Sequence, residues 1–510
     1  MSRNGRRGAA VAALAAGALA FVPDLALGHA IDDTFRLPVP LWLYLGGAAV
    51  AVAASFVVSI VAVRPASANP RYPRRPVPML LGRVASVLLA LLGLAWWFGA
   101  IWIAFVVGDI TQLPAVLFWV GIWVGLPIVA ILVGNPWPSL SPFRTVHTVF
   151  EWFARLLGAD RLDLGLPYPP AAARWPAVAL LLAGLWAELV LPASIAPDRV
   201  GPIMVGYTVI TVVGMLAFGR VAWLRNAELF EVLLGWFGRI GPIGRRVVDP
   251  DACAGCDLRC DPGRCVDCPE CAAAADADER QAELRPWLVG LSEVRRAGWS
   301  DAGFIVLALA GVTYDGMRET SLWGSTLNAL LPGFANVLGP YYGVITIDTL
   351  GLVALWLAFL AAFGVASFLS RMLNARDTGR VPLGAVTGEY AATLLPIAAG
   401  YLIAHYATLI VQNVLYLPDL LRDPLASVAP TLNFIPAAVV WYVSVAAIVI
   451  GHIAAVVLAH RIALRDAPGH PLIAGLPLVL LMIGYTVLSL WIIAQPIAIE
   501  PGAAPVSWLP

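Results

Sequence analysis

Ten runs of about twenty mostly apolar residues recur along the chain, at roughly 40–63, 84–107, 113–134, 175–197, 201–224, 302–320, 341–369, 391–414, 434–459 and 472–495. A run of that length is what an α-helix needs to cross the hydrocarbon core of a bilayer, and a helix satisfies its own backbone where water is absent. Polar segments separate the runs, and their basic residues concentrate in every second one, the loops between carrying few Arg and no Lys. Arg64, Arg71, Arg74 and Arg75 follow the first run, Arg144, Arg155 and Arg161 the third, and Arg225, Arg239, Arg245 and Arg246 the fifth. Arg371, Arg376 and Arg380 follow the seventh, and Arg461 and Arg465 the ninth. Basic loops stay cytoplasmic, so the alternation predicts a multi-pass protein of the inner (cytoplasmic) membrane with both mature termini outside. The expected fold class is all-α: a polytopic transmembrane helix bundle of about ten spans with a small cytoplasmic Cys-rich insertion.

Two segments at the predicted cytoplasmic face read as helices lying on the membrane. In the first, Ser141 caps the helix, Pro142 sits where proline is tolerated, and Phe143, Val146, Phe150, Phe153 and Leu157 form one apolar face. The second runs from Asn226 to about Arg239, with Leu229, Val232, Leu233, Trp236 and Phe237 on its apolar side. Interfacial anchoring is the plain reading of both, and a gating or docking role is the alternative.

The amino terminus reads as a secretory signal over 1–28: Arg3, Arg6 and Arg7 form a basic region, and a short apolar stretch from Ala9 to Val22 follows. Ala26-Leu27-Gly28 fits a cleavage site that leaves His29 first in the mature chain; cutting after Ala30, or an uncleaved extra helix, are the alternatives. The expected organisation is then five spans over 29–242, the insertion over 243–300, and five further spans over 301–510.

Composition agrees with lipid as the solvent: 60% of residues are hydrophobic and only 13% charged, against roughly 25% charged in soluble domains. Mean hydropathy is +0.82. The formal net charge is zero, so no argument for a nucleic-acid partner starts from charge. No phosphate-binding P-loop, dinucleotide fingerprint, H-E-x-x-H or G-x-S-x-G is present, which disfavours an ATP-driven pump and a Rossmann reductase. The absence of an evident internal repeat weakens the case for a standard secondary transporter.

All six cysteines, Cys253, Cys256, Cys260, Cys265, Cys268 and Cys271, lie in the insertion with the spacing C-x2-C-x3-C-x4-C-x2-C-x2-C. A C-x2-C turn brings two thiolates to one side of a tight loop, and Pro262-Gly263 supplies a turn that folds the two halves together. In a cytoplasmic loop these thiols stay reduced and available as ligands. Zinc could use four of them, or two zinc ions could share all six; an iron–sulfur cluster and an unmetallated redox loop are the alternatives.

Ionisable groups inside hydrocarbon are costly, so each is a candidate site: Glu188, Arg220, Asp315, Asp348, His405, His452 and Glu389. Arg220, Glu389 and His460 are near enough to span ends to snorkel. His405 and Gln412 fall on the predicted outer half of one span, Asp315 near the outer end of another, and Gly316 beside it could break the helix. A set of His405, His452 and Asp315 could hold a second metal in the membrane, relay protons or ligate haem. His29, if first in the mature chain, would offer its amine and imidazole as an external copper site.

Five local patterns resemble a family of bacterial membrane proteins known as fenitrothion hydrolases. They are LPVPLWLYLGGAAVAVAASFVV at 37–58, NPWPSLSPFRTVH at 135–147, TYDGMRETSLW at 313–323, AHYATLIVQ at 404–412 and GHIAAVVLAHRIAL at 451–464. The resemblance implies a membrane-bound enzyme that cleaves organophosphate triesters; the ligand types of His405, His452 and Asp315 would let it hold a metal that activates water as the nucleophile. It carries over no catalytic residues and does not reach the cysteine loop. The alternatives from the residues alone are a metal-ion transporter or redox carrier with His29 and the intramembrane His/Asp residues as stations, and an accessory subunit in which those residues only join helices. The expected partners are the lipid bilayer, a small-molecule or metal-ion substrate, and a further subunit in the accessory case.

Overall fold

The computed structural model describes residues 35–62, 73–107, 111–159, 161–191, 196–247, 267, 280–292, 297–374, 382–423, 435–466 and 471–499. The signal segment, His29 and the six cysteines lie outside the described residues.

The chain is an all-α bundle. In order, its principal helices are α1 (Leu41–Ala62), α2 (Met79–Val106), α3 (Leu113–Leu132), α4 (Pro142–Leu156), α5 (Trp175–Leu189), α6 (Pro197–Phe218), α7 (Arg220–Asn226) and α8 (Leu229–Phe237). They continue with α9 (Trp299–Arg318), α10 (Ser321–Leu338), α11 (Pro340–Asn374), α12 (Leu383–Arg422), α13 (Ala437–Asp466) and α14 (Pro471–Ile497). Among the described residues eight of these, α1, α2, α3, α6, α11, α12, α13 and α14, are long and apolar enough to cross a membrane. The other two expected spans are helical too, and each departs for its own reason. Helix α5 is 15 residues long, about 22 Å at 1.5 Å per residue. Helix α9 is long enough but carries Asp301, Asp315 and Arg318. It can carry them because 15 of its 20 residues are buried, so protein rather than lipid surrounds it.

Helix α9 is the axis of the fold. It packs on α5, α11 and α12, while α12, α13 and α14 form a sequential antiparallel set that α1 closes from outside. The α12–α13 contact is close enough that backbones touch. A methyl group at Gly400 would sit 2.4 Å from the Ala447 carbonyl oxygen, and one at Gly451 2.3 Å from that of Pro396. Ser444 donates from Oγ to the Ala404 carbonyl at 3.1 Å. These contacts fix the relative depth of residues on the two helices.

The two surface helices turn out differently. Helix α4 begins as expected, with Ser141 Oγ accepting from Arg144 N at 3.3 Å. Only Pro142, Phe143 and His147 of α4 are buried, and Phe150, Phe153 and Leu157 are exposed, as an interfacial helix requires. Helix α8 is a correction: Leu229, Phe230, Val232, Leu233, Leu234, Trp236 and Phe237 are all buried, so it lies inside the bundle rather than on the membrane. Its run of apolar residues on every side is what full burial needs. Helix α6 ends at Gly219, whose φ of +84° turns the chain into α7, so the expected continuous span to residue 224 is broken there. Arg220, just past the break, pairs with Glu151 at 3.2 Å and donates to Thr148 Oγ1 at 2.7 Å.

A small sheet lies beside the bundle, with β4 (Arg280–Leu284) antiparallel to both β2 (Arg75–Pro76) and β3 (Ile243–Val247). A parallel pair of β1 (Phe35–Arg36) and β5 (Ala498–Ile499) joins the two ends of the described chain.

Glu228 starts α8 and is wholly buried. Its carboxylate accepts from Phe230 N (3.2 Å), Glu231 N (2.6 Å), Trp137 Nε1 (3.0 Å) and the Tyr207 hydroxyl. Burial lifts its pKa from 4.5 to about 7 against the pull of those four donors. A carboxyl whose folded pKa lies above its unfolded value favours the folded state at low pH and loses that contribution as pH rises through 7. Thermal stability in detergent is therefore expected to fall by an equivalent of about 3 kcal/mol between pH 4.5 and pH 8 from this group alone. Glu228→Gln should flatten that dependence while lowering stability at every pH, because its amide would face donors.

Candidate functional site

The polar groups of the bundle interior converge on the C-terminal turns of α9. Asp315 Oδ2 accepts from His405 Nε2 at 2.9 Å and from the Tyr406 hydroxyl at 2.5 Å, both on α12. The His405 side chain is 2% exposed and that of Asp315 18%, so the pair is nearly dry on one side and open on the other. The ring of Tyr401, one helical turn before His405, stacks on the imidazole at 6.0 Å between centroids. Tyr406 meets it edge-on at 4.7 Å. The imidazole is thus held between two phenols with its Nε2 fixed on the carboxylate.

Gly316 does not break α9, which runs on to Arg318. Its role is clearance: a methyl there would lie 2.3 Å from the Tyr401 hydroxyl. That hydroxyl is buried and has no hydrogen-bond partner among the described residues.

A second carboxylate node lies one turn away. Asp348 on α11 accepts from Trp323 Nε1 (3.0 Å) and the Tyr314 hydroxyl (3.2 Å), and Arg318 Nη2 stands 3.6 Å from its other oxygen. A third comes from α5, where Glu188 accepts from Trp123 Nε1 at 2.6 Å. Trp123 projects from a π-helical stretch of α3, Val116–Gly125, a local irregularity often found at functional positions. Glu188 lies within electrostatic range of Asp315 and Arg318. Four helices thus contribute three carboxylates, one arginine and one imidazole to the polar part of an otherwise apolar bundle.

His452 does not join it. Ser444 is level with Ala404 and Gly451 with Pro396, which sets His452 about 14 Å from His405 along the helix axes. Its Nδ1 donates instead to Ile448 O at 2.8 Å. Among the described residues no group of three or more His, Cys, Asp or Glu side chains could hold a metal ion. The expected set of His405, His452 and Asp315 therefore reduces to the pair His405–Asp315.

Tyr401, Tyr406, Arg318 and Trp323 belong to the site and were not singled out from the sequence. The signal available was their spacing: Tyr401 is one turn from His405, and Arg318 is one turn from Asp315. Comparison with protein-family models, with curated proteins and with solved structures gives no match for this chain.

Proposed function

We propose that the protein is an integral membrane carrier for a cation, with His405 and Asp315 as the intramembrane station and a proton exchanged when the cation binds. The observation that supports this most is the 2.9 Å contact between His405 Nε2 and Asp315 Oδ2 inside the bundle. An imidazole and a carboxylate can trade their shared proton for a metal ion, since both bind metal only when deprotonated. Two such ligands, with the Tyr406 phenol beside them, are fewer than the three protein ligands of a resident catalytic zinc. A passing ion needs a site it can also leave. In this reading the six cysteines receive a soft ion on the cytoplasmic side, zinc being the first choice and an iron–sulfur cluster the other.

The test uses zinc as probe, with purified protein in liposomes that enclose a zinc dye and a pH dye. Wild-type protein should carry zinc with an opposing proton movement, and His405→Gln should slow both at least tenfold. Zinc, manganese and cobalt fluxes no greater than those of empty liposomes would overturn the carrier reading.

The second reading is a hydrolase of organophosphate triesters. It is favoured by the convergence of two motifs, TYDGMRETSLW and AHYATLIVQ, at the Asp315–His405 contact. An imidazole oriented by a carboxylate can take a proton from water as the oxygen attacks phosphorus and nitrophenolate leaves. Membranes holding the protein would then release nitrophenol from fenitrothion, and release unchanged by His405→Ala, Asp315→Ala and His452→Ala would remove this assignment.

A further inference from the structure

Helix α13 carries two buried imidazoles that the carrier site does not use. His452 is 1% exposed and His460 2%. The first is oriented: with Nδ1–H on the Ile448 carbonyl, its Nε2 carries the lone pair, and that nitrogen has no partner among the described residues. Among the described residues His460 has no hydrogen-bond partner at either nitrogen, and it meets the edge of Phe56 at a centroid distance of 6.0 Å. Burying a polar group without a hydrogen bond costs about 1–3 kcal/mol on protein scales, and buried orphans in native proteins call for water or an ion. One orphan is an isolated cost. Three orphan nitrogens on one helix, in two imidazoles spaced along its axis, form a series.

The two steps of that series are similar in length. His460 and His452 are eight residues apart, about 12 Å along the axis, and His452 is about 14 Å in depth from His405. Both steps are too long for direct proton transfer and suit a file of about four waters at ~2.8 Å spacing. The His460 end of α13 leads into Arg461 and Arg465, which the charge alternation places in the cytoplasm. The His405 end leads to Asp315.

We propose that His460 and His452 are stations of a water-lined proton path running along α13 from the cytoplasmic face to His405–Asp315. The proposal rests on the proton-exchange reading of that pair for its purpose, and on the orphan nitrogens for its existence. A proton arriving from one water at the bare Nε2 of His452 makes an imidazolium, and that Nε2 proton then leaves to the next water while Nδ1–H stays on the Ile448 carbonyl. No net charge stays behind.

Two measurements test it. Radiolytic hydroxyl footprinting of the full wild-type protein in detergent reads water directly, because radicals formed in buried water oxidise the side chains beside it. His452 and His460 should be oxidised at rates within threefold of exposed Met372, while Met482, fully buried on α14, stays protected although methionine is the more reactive side chain. Both histidines as silent as Met482 would overturn the path. In the liposome assay, His452→Phe and His460→Phe should each slow the proton movement tenfold or more while leaving equilibrium zinc binding to the protein unchanged. Oxidised histidines with proton movement at the wild-type rate in both variants would also overturn it. Failure of the carrier reading looks different: no zinc flux from any variant, with the footprint at His452 and His460 still present.

Discussion

Asp315→Asn is expected to abolish cation flux, by a hundredfold or more, while the protein still purifies as a folded species. The carboxylate is the common acceptor for His405 Nε2 and the Tyr406 hydroxyl, on a single oxygen. Asparagine has nearly the same shape, and its amide oxygen set in the place of that one oxygen can still accept both bonds, so the packing around Gly316 is undisturbed. What disappears is the charge. Hydrogen bonds to a charged group contribute about 1.5–3 kcal/mol each, and a hundredfold loss corresponds to about 2.7 kcal/mol. Asp315→Leu should add a loss of thermal stability, because it leaves His405 and Tyr406 buried with their former partner gone. The double change His405→Gln with Asp315→Asn should be hardly worse than either single change, since residues that act as one unit are strongly non-additive. Additive losses would mean that the pair is not the functional unit. The same variants decide the hydrolase reading when nitrophenol release replaces flux.

Much of the bundle is legible from hydrophobic run length alone, because the bilayer fixes how long a spanning helix must be. The reading weakens where protein replaces lipid as the surrounding medium. Helix α9 is a case in point: its charges lower its hydropathy, yet most of it is enclosed, and Asp301 and Asp315 have partners from elsewhere in the bundle. Helix α8 shows the reverse. Its boundary residues Asn226 and Arg239 suggest an amphipathic surface segment, and only the tertiary packing shows that the whole turn is inside. For the site, residue types were informative and pairing was not. Asp315 and His405 are 90 residues apart, and nothing local says that they meet. His452 shares the chemistry of His405 and fails on depth, lying about nine residues further along the paired helices. The tyrosines were invisible for another reason: in an apolar helix a phenol looks like packing until its hydroxyl is found on a carboxylate.

The largest stability effect is expected at Asp267, the single described residue of the cysteine segment, which stands between Cys265 and Cys268 in the sequence. It is held from four directions. Its amide and Oδ1 bond the backbone of Arg245 at 3.0 and 2.8 Å, and its carbonyl accepts from Arg239 Nη2 at 2.8 Å. Its Oδ2 pairs with the guanidinium of Arg285, whose side chain is 0% exposed. The other carboxylate near Arg285, Glu283, is 3.9 Å away and is already 3.8 Å from Arg74. Asp267→Ala therefore leaves a buried cation with one distant, shared counter-ion. Breaking a buried pair from one side costs about 3–5 kcal/mol, whereas replacing both partners by apolar groups is often close to neutral. Thermal unfolding in detergent should thus rank the variants in an order that a simple contact count would not give: Asp267→Ala well below wild type, and Asp267→Ala with Arg285→Met above the single change. Asp267→Asn should fall between, because asparagine tolerates the φ of +49° and keeps the bond to Arg245 N but loses the charge. A double variant no more stable than Asp267→Ala alone would show that Asp267 acts through the backbone bonds of β3, and that the charge of Arg285 is compensated elsewhere.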